Sequence, residues 1–250
     1  MQTNIPSIST VFTSLLRADL TTQWRNRRSS VLVVLVPVLI LISWKPLVEK
    51  FGGAFVISNC ITVGLTAIGL MGYSNSMARD RDKGIFQRLR VAPAPSWSII
   101  MSRLIVQLIM IILMATVIFV VGYKYDNIMI SPAGYAFGMA MAIVGGAVYL
   151  SLGQVIVGLI KNPETVSATT RLVYFAFIMI GMFGQLGVLG KEIGDLVKWS
   201  PYGAVKNIVA AGLEPATWNN QTSMALLITL GYSVLFTTLG IKWFRWDGRQ

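Results

Sequence analysis

Charged residues are scarce through six long apolar stretches of this chain and crowd into the segments between them. The pattern predicts helices over residues 29–44, 52–77, 98–122, 135–160, 171–190 and 222–242, with no Asp, Glu, Lys or Arg deep inside any of them. An ionised side chain at the middle of a bilayer costs roughly 2.5–3.5 kcal/mol on insertion scales. About 20 helical residues cross a hydrocarbon core of roughly 30 Å. The six stretches therefore read as membrane spans. The first is short, at 16 residues with Pro37 inside, and Arg27, Arg28 and Lys45 extend it by snorkelling their heads outward. The uncharged run over 127–160 is too short for two spans and a loop, so it holds one long helix.

Two further segments carry a helical period without the length to span. Over residues 9–28, Phe12, Leu16, Leu20 and Trp24 recur every fourth position with Val11 and Leu15 beside them. That face, flanked by Arg17 and the basic cluster at 25–28, fits an amphipathic helix lying in the membrane interface, helped by anionic lipid. A basic flank that only sets topology fits as well. Over residues 191–220, Ile193, Leu196 and Val197, then Val205, Ile208 and Val209, form two amphipathic stretches around Trp199-Ser200-Pro201-Tyr202-Gly203. This is a helix–turn–helix at the outer interface, where Trp and Tyr favour that depth, or a structured loop.

Composition agrees with the pattern. Of 250 residues 54% are hydrophobic and 12% charged, and the mean hydropathy is +0.66; globular domains carry about 25% charge. The net charge of +11 would suggest nucleic acid in a soluble protein, but its distribution has another meaning. Arg17, Arg25, Arg27, Arg28, Arg79, Arg81, Lys83, Arg88, Arg90, Arg103, Lys161, Arg171, Lys242, Arg245 and Arg249 fall in alternate segments, 15 in all, against 6 in the intervening ones. By the positive-inside rule both termini are cytoplasmic and the spans even in number, in a multi-pass protein of the cell membrane with no nucleic-acid partner. Arg27-Arg28 ahead of an apolar run resembles a twin-arginine leader, but no A-x-A site follows it and five spans do. There is no histidine and one cysteine, Cys60. Histidine bases, His-containing zinc sites, paired-cysteine redox chemistry and intrachain disulfides are excluded.

The segment after the second span is the most informative. Asp80 and Asp82 lead and Lys83, Arg88 and Arg90 trail, the polarity that complements a helix dipole, which predicts a short cytoplasmic helix over 79–92. Ile85, Phe86 and Leu89 would form an exposed apolar ridge suited to a partner's groove, and Pro93 and Pro95 stop the helix. A solvated loop that only sets topology is the alternative reading of the same residues. Asp80-Arg81-Asp82-Lys83-Gly84-Ile85-Phe86-Gln87-Arg88-Leu89-Arg90-Val91-Ala92-Pro93 resembles the charged loop of type-2 ABC exporter permeases, approximately E-R-E-x-G-T-L-E-x-L-x-V-[ST]-P. Asp stands for Glu twice, Ile-Phe for Thr-Leu, and Ala92 for Ser or Thr. The resemblance extends over the chain: one 250-residue permease domain, an N-terminal interfacial helix, six spans, and a Phe244-Arg245-Trp246-Asp247 tail. It implies that Asp80, Arg81, Asp82, Gly84, Ile85, Phe86, Arg88, Leu89, Arg90 and Pro93 belong to a coupling helix seated on a separate ABC ATPase subunit, with residues 9–28 and Lys161-Asn162-Pro163-Glu164 as further contacts. It also implies that 191–220 is a re-entrant external hairpin, and that the permease pairs with a second copy or a homologue.

Inside the spans, Gly134, Gly138, Ala142 and Gly146 recur every fourth residue up to Gly158, a strip that admits close helix approach within the subunit or between subunits. On the fifth span Gly181, Gly184, Gly187 and Gly190 lie beside Phe175, Met179, Met182, Phe183 and Gln185. These read as helix packing or, by the resemblance, as a substrate path shared with Asn59 and Thr62 of the second span; flexible Met and aromatic rings tolerate varied apolar ligands. No intramembrane ionisable group is present to couple an ion gradient. Gly190-Lys191 is followed by Glu192, so no Walker A sequence exists there. ATP and magnesium are then expected on the partner and no cofactor on this chain. The reading is an all-α permease subunit of an ATP-driven exporter for a hydrophobic or amphiphilic substrate, not itself an enzyme. The rivals are an ion-coupled carrier and a membrane-embedded enzyme.

Overall fold

A computed structural model describes residues 7–25, 27–91 and 96–243, which form helices and no strand. In chain order these are α1 (Ile8–Arg25), α2 (Arg27–Ser43), α3 (Lys45–Phe51), α4 (Gly53–Asp82), α5 (Ile85–Val91), α6 (Ser96–Tyr125), α7 (Pro132–Leu159), α8 (Pro163–Gln185), α9 (Lys191–Lys198), α10 (Pro201–Leu213) and α11 (Asn220–Trp243). Five of them, α4, α6, α7, α8 and α11, are long and apolar enough to cross a membrane. The α2–α3 pair adds a sixth if counted as one span, though it bends by 64°. The tail at 244–247 lies outside the described residues.

The large apolar side chains of the outer helices point away from the protein. On α11 the buried positions are Thr222, Ala225, Thr229 and Gly240, a narrow seam of small residues toward α7, while Leu227, Val234 and Ile241 are exposed. Small residues inward and large apolar ones outward is the arrangement lipid favours, because the acyl chains solvate leucine as well as a core would.

α4 is the axis of the bundle, enclosed along nearly all of its length. Three of its hydroxyls answer to their own helix: Ser58 Oγ donates to the Phe55 carbonyl at 2.9 Å, Thr62 to Ser58 and Thr66 to Thr62, each at 2.7 Å. Where α4 crosses α7 there is no room for a side chain. A Cβ on Gly69 would stand 2.5 Å from the Tyr149 carbonyl carbon, and one on Gly153 2.6 Å from the Gly69 oxygen. The helix widens into π-type turns over Ala67–Tyr73 at this crossing, and Ser74 Oγ donates to the Gly69 carbonyl at 2.8 Å.

The small-residue strip of α7 works inside the subunit. Gly134 and Gly138 face Leu213 of α10, Gly145 faces Val205, and Gly158 faces the Trp243 backbone of α11. Within the 191–220 segment α10 is the enclosed part, packed among α4, α7 and α11, whereas α9 buries only Val197 and leaves Ile193 and Leu196 exposed. Ser200 caps it, accepting from the Gly203 amide at 3.2 Å. Three tyrosines anchor the α9–α10 turn. Tyr202 donates to Asn59 Oδ1 at 3.1 Å, Tyr149 to the Pro201 carbonyl at 3.4 Å and Tyr232 to the Trp199 carbonyl at 3.2 Å.

Two sequence-based boundaries move. The helix expected over 171–190 begins at Pro163, because Asn162 caps it by accepting from the Glu164 amide at 2.8 Å and proline occupies its first position. It ends at Gln185, where Gly187 and Gly190 take positive φ and turn the chain into α9. The single helix expected over 79–92 is instead the last turn of α4 and a separate α5, broken at Lys83-Gly84, where Gly84 has φ +66°.

Candidate functional site

The break at Gly84 starts α5 against the end of α4, with Phe86 reaching Arg103 of α6, and builds a compact charged cluster at this end of the bundle. Phe86 is fully buried under the Arg103 guanidinium, whose carbon lies 4.9 Å from the ring centroid. Arg103 is paired with Asp80, Nη1 to Oδ2 at 2.5 Å, the one ion pair among the described residues. One residue earlier on α6, Ser102 Oγ donates to Asp19 Oδ2 at 2.5 Å and so ties α1 to α6. Burial pushes the Asp19 carboxyl above its ordinary range; the Ser102 bond and Arg103 oppose that, and Asp80 adds to it. Between α1, α4, α5 and α6 lies a cavity of about 230 Å³, lined by Asp19, Tyr73, Asp80, Leu89 and Arg103 among others.

Arg81 makes the other connection. It is buried, and its guanidinium donates to the carbonyls of Val157 at 2.5 Å, Ile160 at 2.6 Å and Lys161 at 3.0 Å. Those are orphan carbonyls at and just beyond the C-terminus of α7, where a cation also meets the negative end of the helix dipole. The planar fork of arginine reaches all three at once. The Lys161–Asn162 link into α8 is thereby locked to the end of α4.

The ridge expected of Ile85, Phe86 and Leu89 is thus not an exposed one. Phe86 is core, and Ile85 and Leu89 are half-buried against the cavity. A seven-residue helix whose Phe86 reaches under Arg103 turns its apolar side to the protein. Asp80 and Arg81 are likewise inward, spent on Arg103 and α7. What α5 and its approach present to solvent is Asp82, Lys83, Gln87 and Arg88, with Gly84 half-buried at the turn. The Arg90 side chain and Pro93 lie outside the described residues.

The candidates for a substrate path stand in different settings. Asn59 and Thr62 are buried; Asn59 accepts from Tyr202 and donates Nδ2–H to the Phe55 carbonyl at 2.9 Å. Phe175 and Met179 are exposed on the outward side of α8, Met182 is buried, and Phe183 and Gln185 are half-buried. Sequence reasoning missed Asp19, Ser102 and the inward role of Arg103. The available signal was that Arg103 is a cation set several residues inside an apolar helix, which calls for a partner.

Comparison with known proteins agrees with this architecture. A family model described as ABC-2 type transporter matches residues 10–203. A Bacillus subtilis (strain 168) protein described as "Putative transport permease YvfS" is 26% identical over 186 residues, covering 71% of this chain and 73% of that protein.

Proposed function

The chain belongs to the ABC-2 type transporter family and is the membrane subunit of an ABC transporter, and from that premise we propose that it is the permease of an ATP-driven exporter of hydrophobic or amphiphilic compounds. In this reading the chain has six spans, counting the bent α2–α3 pair, with both termini cytoplasmic and α9–α10 re-entering from the outer side. Two permeases work together, and ATP with its magnesium is held by separate ATPase subunits docked beneath the Asp82–Arg88 surface.

The observation that carries the proposal is the wiring of this end. Asp80 and Arg103 join α4 to α6, Ser102 and Asp19 join α6 to α1, and Arg81 joins α4 to the α7–α8 link. A partner pressing on Lys83, Gln87 and Arg88 would move α4, α6 and α7 as one body, since packed interfaces shift between discrete arrangements rather than deform. α4 is the enclosed axis, so its displacement reaches the α9–α10 hairpin through Asn59 and Tyr202. Two-state motion of that kind, biased by ATP on the partner, is alternating access. The exposed apolar face of α8, with Leu172, Phe175 and Met179, is where the second permease or an amphiphilic substrate would lie.

The test uses the permease co-purified with its ATPase. The double substitution Gln87→Glu and Arg88→Glu changes only exposed side chains. It should abolish substrate-stimulated ATP hydrolysis and weaken co-purification while leaving the permease's thermal stability at the wild-type value. Unchanged stimulation would refute the docking assignment, and ATP-dependent accumulation in inside-out vesicles separates export from import.

A further inference from the structure

At the far end of α4, about 45 Å from Asp82 for its 30 helical residues, the chain buries a cation that has no counter-charge among the described residues. Lys206 of α10 keeps 7% of its surface, and its ammonium sits 4.2 Å from the centroid of the Phe55 ring. No described carboxylate lies within ion-pair distance of it. A lysine taken out of water is costly unless an opposite charge comes with it, and one aromatic face returns only a fraction of that cost.

Lys206 is not sealed in. It lines a cleft of about 380 Å³ between Phe51 at the end of α3, Phe55 at the start of α4, α10, and the approach to α11. Lys198 stands in the same cleft, its ammonium donating to Gln221 Oε1 at 2.7 Å, and Asn207 and Asn219 add amide groups. Lys50 lies over the ring of Phe51, 5.2 Å from its centroid, and Phe51 stacks on Phe55 at 5.0 Å. The sole carboxylate in the lining is Glu214, exposed at the rim. The cleft therefore combines excess positive charge, amide donors and an aromatic wall.

We propose that this cleft binds an oxyanion, the carboxylate or phosphate headgroup of an amphiphile, with Lys206 as its counter-charge and Phe51 and Phe55 against the first carbons of its chain. A charge-assisted bond to a desolvated ammonium is far stronger than one in water. The size, near the low end of small-ligand sites, accommodates a headgroup and the start of a tail. The proposal rests on the fold alone; only the assignment of this end to the outer leaflet rests on the topology proposed above. Two sources share the chemistry, an anionic lipid of that leaflet and an acidic compound in transit.

The experiment measures binding to the purified full-length permease in phosphatidylcholine nanodiscs, without any ATPase, so that its outcome is independent of the docking reading. Dodecyl phosphate, dodecanoate and neutral dodecyl maltoside serve as probes, with inorganic phosphate as competitor and a second nanodisc set containing phosphatidylglycerol. The two anionic probes should bind and the maltoside should not. Lys206→Met should weaken them by at least about tenfold, and Lys206→Arg should retain them. Occlusion of the site by phosphatidylglycerol points to a lipid headgroup, and probe binding undiminished in that lipid points to a compound in transit. Ala210→Phe fills the cleft without touching the charge and should also abolish binding. Equal binding by wild type, Lys206→Met and Ala210→Phe, or equal binding of the neutral probe, would overturn the proposal.

Discussion

Replacing Arg81 by methionine keeps the length and apolar stem of the side chain and removes the fork that closes the end of α7. Three carbonyls lose their donor, but not at equal cost. The Val157 carbonyl is bonded in a buried setting, whereas those of Ile160 and Lys161 are part-buried and water can replace the guanidinium there. One stranded buried acceptor costs about 1–3 kcal/mol. The lost cation at the helix C-terminus adds roughly 0.3–2 kcal/mol. Relief of the arginine's own desolvation offsets part of this, so the expected destabilisation is about 1–4 kcal/mol. Lysine at the same position keeps the charge but cannot reach three carbonyls at once, and should lose about half as much. The assay is equilibrium unfolding in mixed SDS micelles followed by tryptophan fluorescence. An Arg81→Met variant within about 0.5 kcal/mol of wild type, the range of an inert surface change, would refute a capping role for Arg81.

Other expectations follow from the same contacts. Tyr202→Phe leaves Asn59 Oδ1 buried without its donor and should cost about 1–3 kcal/mol; a double-mutant cycle with Asn59→Leu should recover most of it as coupling. Gly153→Ala puts a methyl group on Ser74 Oγ and the Gly69 carbonyl and should destabilise by about 1–3 kcal/mol. Gly231→Ala, with nothing within 4 Å, should be neutral or slightly stabilising in the same unfolding assay. Asp19 supplies a pH dependence. Its carboxyl is raised above the ordinary 3.8 by burial, so just above that pH the folded chain holds a proton that the unfolded chain has released. Stability should therefore fall as pH rises through that window. Asp19→Asn, which can still accept from Ser102, should flatten the acid side of a melting-temperature profile; a slope identical to wild type would contradict the burial of this carboxyl.

Several features were legible in the residues because they obey a single constraint each. The bilayer excludes charge, so the apolar stretches marked the long helices; the short first one was read as extended by snorkelling cations, whereas the chain instead continues into α3 through a 64° bend. Glycine every fourth residue on α7 means close helix approach, and Leu213, Ile111 and Trp243 occupy that strip. Pro201-Tyr202-Gly203 read as part of the turn, whereas Ser200 caps and Pro201 begins α10. The Asp80–Pro93 motif led to the family.

Other features depend on which faces meet, and no local pattern contains that. Phe86 and Leu89 read as an exposed ridge because their period is helical and their neighbours are charged; only the placement of α5 decided that Arg103 of α6 covers Phe86. Arg81 reads as one more cytoplasmic cation until α7 ends beside it. Asn59 looked free for a ligand until Tyr202, 143 positions along the chain, donated to it. The sequence by itself determined what must avoid water and where charge must stop, because those are properties of each segment and its solvent. The tertiary structure decided which polar groups are spent on one another and which, like Lys206, are left facing a cleft, because pairing between distant segments depends on their positions in space.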